Sequence, residues 1–296
     1  MYRAGASLAD TDPGNTVMEM SPLVTALVLG SALLHASWNA IIKASRDVTL
    51  DTALVSAAAG LLSLPLIALA PMPARASWPY LATSVIIHVG YFSTLARAYR
   101  IGDLSHAYPL MRGIAPLLVA LFGVALLDEH PSNGMWLGIV LISAGILSLG
   151  LLQRGRAQRN ATLWALLNAA IIASYTLVDG VGARLSATPL GYGAWLFALQ
   201  CLPFCALVIA TRGPMAFDYA RRNWPRGAGG GLCVITAYGA VLWAMTQAPV
   251  AAVAALRETS VIFAALLGTI FLQERFGRQR VIGACAVALG VIALRT

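Results

Sequence analysis

Six ionisable side chains, His35, His88, Arg112, Asp179, Arg257 and Glu258, fall inside long apolar runs of this chain. A charge in hydrocarbon is expensive, and it normally faces a partner or a polar cavity. Arg112 and Arg257 head the group, because paired guanidinium groups hold a carboxylate or phosphate through two parallel hydrogen bonds. The competing role is structural: a pairing with Glu258 or Asp179, or snorkelling to the interface from a position near a helix start. Glu258 follows Arg257 directly. On a regular helix such neighbours project about 100° apart, so this pair is not expected to meet. Burial in a low-dielectric medium favours the protonated carboxyl, which makes Glu258 the leading candidate for carrying a coupled proton, with Asp179 behind it.

His35, Trp38 and Asn39 recur at three- and four-residue spacing and so share one helix face. A polar-aromatic stripe on an apolar helix suits a cavity lining, although Asn39 also suits interhelical hydrogen bonding. Tyr91, Tyr175, Tyr238 and Trp243 are the expected aromatic walls for an amphipathic small molecule, with core packing as the alternative. His88 reads as a satisfied buried histidine. No cluster of His, Cys and carboxylates has metal-ligand spacing, and no Ser-His-Asp set or phosphate-binding loop is visible. Gly229-Gly-Gly231 lacks a following Lys-Ser/Thr and reads as a flexible opening to a helix. No cofactor is expected. The four cysteines, Cys201, Cys205, Cys233 and Cys285, all sit in apolar runs and read as small buried residues.

These residues must be positioned by membrane helices. Of 296 residues 59% are apolar and 11% charged, where a soluble domain carries about 25% charged residues. Ten apolar runs reach or approach the roughly twenty residues that a span needs: 22–43, 52–70, 79–98, 105–127, 134–152, 161–180, 190–211, 228–247, 250–272 and 279–295. The separators are short and turn-forming, with residues 212–225 read as a loop. None has room for a soluble catalytic domain. Pro109, Pro116 and Pro203 are the expected kinks or breaks. Gly60, Gly90, Gly123, Gly145, Gly239, Gly268 and Gly290 fit close helix crossings.

Residues 108–149 align without a gap on 253–294, with nine identities in 42 pairs. Arg112/Arg257, Gly123/Gly268, Glu129/Glu274, Gly138/Gly283 and Gly145/Gly290 recur in register. The organisation is therefore a polar tail over 1–20, a five-helix repeat over 21–153 and a second over 160–296, in an all-α integral membrane fold. Five is odd, so the second copy enters the membrane inverted, which is the arrangement of secondary transporters.

Each half resembles the EamA unit of the drug/metabolite transporter superfamily. The resemblance rests on Trp38-Asn39, on the segment from Ala107 through Tyr108, Pro109 and Arg112 to Pro116, and on the helix exits Leu127-Asp-Glu129 and Leu272-Gln-Glu274. It covers residues 21–296. It implies ten helices, export or exchange activity, and a cavity lined by helices 1, 3, 4, 6, 8 and 9.

The expected function is secondary transport of a small polar or amphipathic metabolite, with amino acids and organic anions heading the list. The partners are a small-molecule substrate and the lipid bilayer, with no nucleic acid, in a monomer or homodimer of the inner (plasma) membrane. The alternatives are an integral-membrane lipid-processing enzyme, which would gather its acid/base groups at one interface, and a non-catalytic scaffold or receptor. Orientation divides two arguments. The family resemblance places the termini in the cytoplasm. The charge count opposes it, because fourteen of twenty Lys and Arg lie in the odd-numbered helix junctions. Cytoplasmic loops carry the basic excess, so the termini are expected outside.

Overall fold

The structure, a computed structural model, describes residues 20–43, 45, 47–101, 104–151, 159–272 and 277–295. Within them the chain forms eleven α-helices, one short 3₁₀ turn (Arg75–Ser77) and no strand. They are α1 (Pro22–Lys43), α2 (Val48–Leu69), α3 (Trp78–Ile101), α4 (Leu104–Leu127), α5 (Asn133–Leu151), α6 (Arg159–Leu185), α7 (Pro189–Arg212), α8 (Pro214–Ala244), α9 (Val250–Arg257), α10 (Ser260–Leu272) and α11 (Arg278–Ala293). Among the described residues five helices are long and apolar enough to cross a membrane: α2, Ala107–Leu127 of α4, α6, α7 and α8. Large apolar side chains such as Leu61, Leu69, Ile86, Leu126, Leu202 and Ile292 point outward, as a chain solvated by lipid rather than water requires.

Local chemistry sets the helix starts. Asp47 accepts from the amides of Thr49 and Leu50 to cap α2, and Thr188 accepts from Gly191 to cap α7. Pro189 and Pro214 sit in the first turns of α7 and α8, where a missing N–H removes no helical bond.

Three expectations are corrected. The segment 212–225 is not a loop beyond Gly213: α8 begins at Pro214 and runs for 31 residues. Its first turns are amphipathic, and Ala216 and Tyr219 bury against Leu50, Ala53 and Val208. The prolines do not break their helices, for Pro109 and Pro116 lie within α4 and Pro203 within α7. The helix that does break is the ninth, at Glu258 and Thr259, where there is no proline. There the amides of Glu258, Thr259, Val261 and Ile262 bond three residues back, before Phe263 reaches Thr259 four residues back.

The glycines are also redistributed. A Cβ on Gly290 would meet the carbonyl of Gly138 at 2.8 Å, and one on Gly145 that of Gly283 at 2.8 Å. These two contacts make α5 and α11 cross closely and antiparallel. Gly60 backs onto Cys201 of α7, while Gly227, Gly230 and Gly231 of α8 press on Leu54, Val55 and Ala58 of α2. Within the run Gly229–Gly231 the last two glycines are thus a packing surface inside α8 rather than a flexible opening, and Gly229 has open space around it. Gly239 has open space around it, Gly90 only ordinary contact, and Gly123 faces Glu129 of its own loop; the Gly268 side chain position and Glu274 lie outside the described residues.

Helix pairing exchanges consistently between the halves. Helix α3 packs on α6 as α8 packs on α1, and α4 on α6 as α9 and α10 on α1. Glu129, just past the end of α4, accepts at 3.0 Å from the amide of Val250, the first residue of α9. These two equivalent helices therefore also run antiparallel.

Candidate functional site

The polar centre is built where α1, α3, α4, α6, α8 and α9 converge. Residue Arg112 is in the third turn of α4 and Arg257 is the last residue of α9. Both are 4% exposed, which excludes snorkelling. The break after Arg257 puts Glu258 between them. Its Oε2 lies 2.7 Å from Arg112 Nε, and its Oε1 3.5 Å from Arg257 Nη2. The expectation that Arg257 and Glu258 do not meet is therefore corrected: with the helix interrupted, a long guanidinium folds back to its neighbour, though at the outer limit of a hydrogen bond. Glu258 belongs chiefly to Arg112.

His35 extends this pair into α1. Its Nε2 is 3.1 Å from Arg112 Nη2, and its Nδ1 faces Trp38 Nε1 at 3.3 Å. Both neighbours are obligate donors. A neutral imidazole offers one acceptor nitrogen, so His35 serves one of them at a time. Asn39 donates to the His35 carbonyl at 2.7 Å and thereby braces its own helix. The stripe of His35, Trp38 and Asn39 is thus internally bonded, with His35 the member that reaches across.

Aromatic rings surround the guanidinium groups. Arg112 lies over Tyr108 and Arg257 over Tyr238, each 5.9 Å from the ring centroid, a range in which the ring quadrupole attracts a cation. Tyr175 is tilted against His88 at 4.4 Å and meets Tyr91 edge-on at 5.9 Å. Nδ1 of His88 bonds to Ser84 within α3, so it is a satisfied buried histidine as read from the sequence. Tyr238 donates to Asp179 Oδ2 at 2.6 Å, and Tyr192 donates to Oδ1 at 3.0 Å. Asp179 is completely buried and is held by phenol hydroxyls rather than by an arginine.

The structure thus gathers His35, Tyr91, Arg112, Tyr175, Asp179, Tyr238, Arg257 and Glu258 into one centre. Trp243 stands apart, five residues beyond Tyr238, about 7.5 Å along the helix, packed against the apolar core. Sequence reasoning missed Tyr108 and Tyr192 as partners. The spacing of Tyr108 from Arg112, one helical turn, was the available signal for the first. Nothing local marks Tyr192, which reaches Asp179 from α7. Among the described residues no group of His, Cys and carboxylates is placed to hold a metal ion.

A second, partly buried ion pair closes one end of the bundle. Arg184 donates to Glu129 Oε1 at 2.7 Å, and to the carbonyls of Met245 and Ala248 at 2.8 and 3.1 Å. It satisfies acceptors at the end of α8, while Glu129 caps the start of α9.

Comparison with known proteins agrees with this architecture. A curated relative from Sinorhizobium sp, described as an uncharacterized transporter in the cobO 3′ region, is 35% identical over 78 residues. That stretch is 26% of this chain and spans about half, 54%, of the relative. One solved protein structure superposes with a TM-score of 0.70 at 17% identity, covering 92% of this chain and 94% of the other. At that identity the likeness speaks to the fold alone. The profile of the EamA-like transporter family matches twice, over residues 23–151 and 159–296. With both halves accounted for, this multi-pass helical membrane protein belongs to the EamA-like transporter family.

Proposed function

We propose that the protein is a secondary transporter that exports or exchanges a small polar or amphipathic metabolite across the inner membrane by alternating access of two inverted five-helix repeats. The observation that carries this reading is the charged centre itself. Arg112 of the first half and Arg257 with Glu258 of the second are buried together, at the junction of the halves and partway along their helices. Charges so placed in a membrane protein mark substrate and ion pathways, and transporter sites lie where repeats meet and a helix is interrupted. The antiparallel course of α5 with α11 and of α4 with α9 supports inversion.

In this reading the arginines attract an anionic group, which favours amino acids and organic anions among candidate substrates. The rings of Tyr91, Tyr175 and Tyr238 flank its body. Glu258 is the coupling carboxylate. It faces Arg112 on α4, Arg257 on its own segment and, through Arg112, Tyr108 on α4 and His35 on α1. Protonation would remove the counter-charge that ties Arg112 to the second half and free the halves to rearrange. The ionisable groups meet in a buried centre partway along the helices, which disfavours a lipid-processing enzyme that would need its acid, base and nucleophile at one interface.

Inverted membrane vesicles with and without an imposed proton gradient test the reading. Cells expressing the protein should enrich the medium in one class of metabolite, and vesicles should accumulate that metabolite only when a gradient of protons or of counter-substrate is present. Accumulation that follows ATP addition with all gradients collapsed would end the proposal.

A further inference from the structure

Arg112 and Arg257 occupy equivalent places in the two halves, yet their surroundings are unequal. Arg112 Nε is in ion-pair contact with Glu258 Oε2 at 2.7 Å, out of line for a hydrogen bond, and its Nη2 is 3.1 Å from His35 Nε2. Arg257 has one acceptor contact, Glu258 Oε1 at 3.5 Å, and its Nε has no acceptor among the described residues. It is nonetheless 4% exposed. A guanidinium brings five N–H donors, and buried donors in native proteins almost always find acceptors. The charge balance points the same way. Two guanidinium groups share one carboxylate, Glu258, and Asp179 is engaged by Tyr192 and Tyr238 instead. The two guanidinium groups together carry one positive charge more than the carboxylate they share.

We propose that Arg257 is the seat for a single carboxylate of a small aromatic or amphipathic monoanion, bound beside Glu258 rather than in its place. This rests on the transport reading and sharpens it, because it replaces a symmetrical two-arginine clamp with one committed arginine and one receptive one. A monoanion neutralises the surplus charge, whereas a dianion would set a second negative charge close to Glu258. The ring of Tyr238 under the guanidinium offers an apolar wall next to the carboxylate.

The probe is benzoate, compared with its neutral isostere benzamide and the dianion phthalate. Each is titrated at fixed ionic strength into the purified full-length protein in detergent, with heat or thermal shift as the signal. Benzoate should bind at least about tenfold more tightly than either comparison ligand, a difference of about 1.4 kcal/mol. Arg257→Gln should lose that preference, Arg257→Lys should retain part of it as a point charge, and Arg184→Gln should bind as the unaltered protein does. The proposal is overturned by equal affinity for benzoate and benzamide, by tighter binding of phthalate, by undiminished binding to Arg257→Gln, or by no benzoate binding at all. The benzoate–benzamide comparison needs no variant, so it stands even where a substitution prevents folding. Selective binding in a protein that moves no solute in proteoliposomes would sink the transport reading and leave the seat intact. Transport together with Arg257-independent binding would sink the seat alone.

Discussion

Glu258 Oε2 lies 2.7 Å from Arg112 Nε, so one carboxylate of the second half neutralises one guanidinium of the first. Removing either partner of a buried ion pair strands the other and destabilises by about 3–5 kcal/mol. Glu258→Gln, which leaves two buried guanidinium groups without a carboxylate, should lower the unfolding midpoint in detergent more than Arg112→Gln, which leaves Glu258 to Arg257. The double variant should recover part of the Glu258→Gln loss and still fail to transport. A double variant no more stable than the worse single one would mean that the pair is not coupled.

Glu258 and Asp179 can be separated by their partners. Glu258 faces guanidinium groups, while Asp179 is held by the hydroxyls of Tyr192 and Tyr238. In proteoliposomes Glu258→Gln should abolish the response of transport to an imposed proton gradient, and Asp179→Asn should keep it. The reverse pattern would move the coupling site to α6.

The Glu129–Arg184 pair should hold the start of α9. Glu129→Gln removes a charged acceptor from the Val250 amide, and such helix caps contribute about 0.5–2 kcal/mol. Amide hydrogen exchange over residues 250–253 should accelerate several-fold in Glu129→Gln, with little change over α2. Uniform acceleration across the chain would indicate global destabilisation instead.

Two glycine substitutions should differ in sign. In Gly290→Ala the new methyl meets the Gly138 carbonyl at 2.8 Å and Ile142 at 2.7 Å. Forcing these antiparallel helices apart should cost about 1–3 kcal/mol and reduce monodisperse yield on size exclusion. Gly239→Ala adds a methyl where nothing lies within 4 Å, and the gain in helix propensity, up to about 1 kcal/mol, should raise the melting temperature.

Orientation follows from the basic residues. Fourteen of twenty Lys and Arg lie in or near the odd-numbered junctions, Arg221, Arg222 and Arg226 among them in the polar first turns of α8; these ends are expected to be cytoplasmic, with both termini outside. A periplasm-active reporter fused after Thr296 should therefore be active and a cytoplasm-active one silent. The opposite pair of signals would show that the orientation implied by the family resemblance prevails over the charge count.

Much of the helical framework was legible because a span leaves a one-dimensional signature: an uninterrupted apolar run with turn residues at its ends. That signature fails for α8, whose first turns carry Arg221, Arg222 and Asn223 and are held by burying Tyr219 rather than by being apolar throughout. It fails again at Glu258, where the helix breaks without Pro. The arginine pair was legible from the repeat register, since Arg112 and Arg257 recur 145 positions apart. Which of them Glu258 would choose was not, because that depends on how a broken helix aims two adjacent side chains. Tyr192 was invisible for a simpler reason: its bond to Asp179 joins separate helices, and no local pattern records it.

The interruption between α9 and α10 has no counterpart in α4, which runs unbroken through the equivalent Gly113 and Ile114. In a rocking carrier, exchanging the roles of two identical halves would turn one open state into the other, and the two would be equally populated at rest. A defect confined to one half removes that degeneracy. On the transport reading proposed above, the unloaded carrier favours one side of the membrane and its two half-cycles run over unequal barriers. Such a carrier has unequal maximal rates in its two directions, while the equilibrium distribution of its solute still follows the gradient alone.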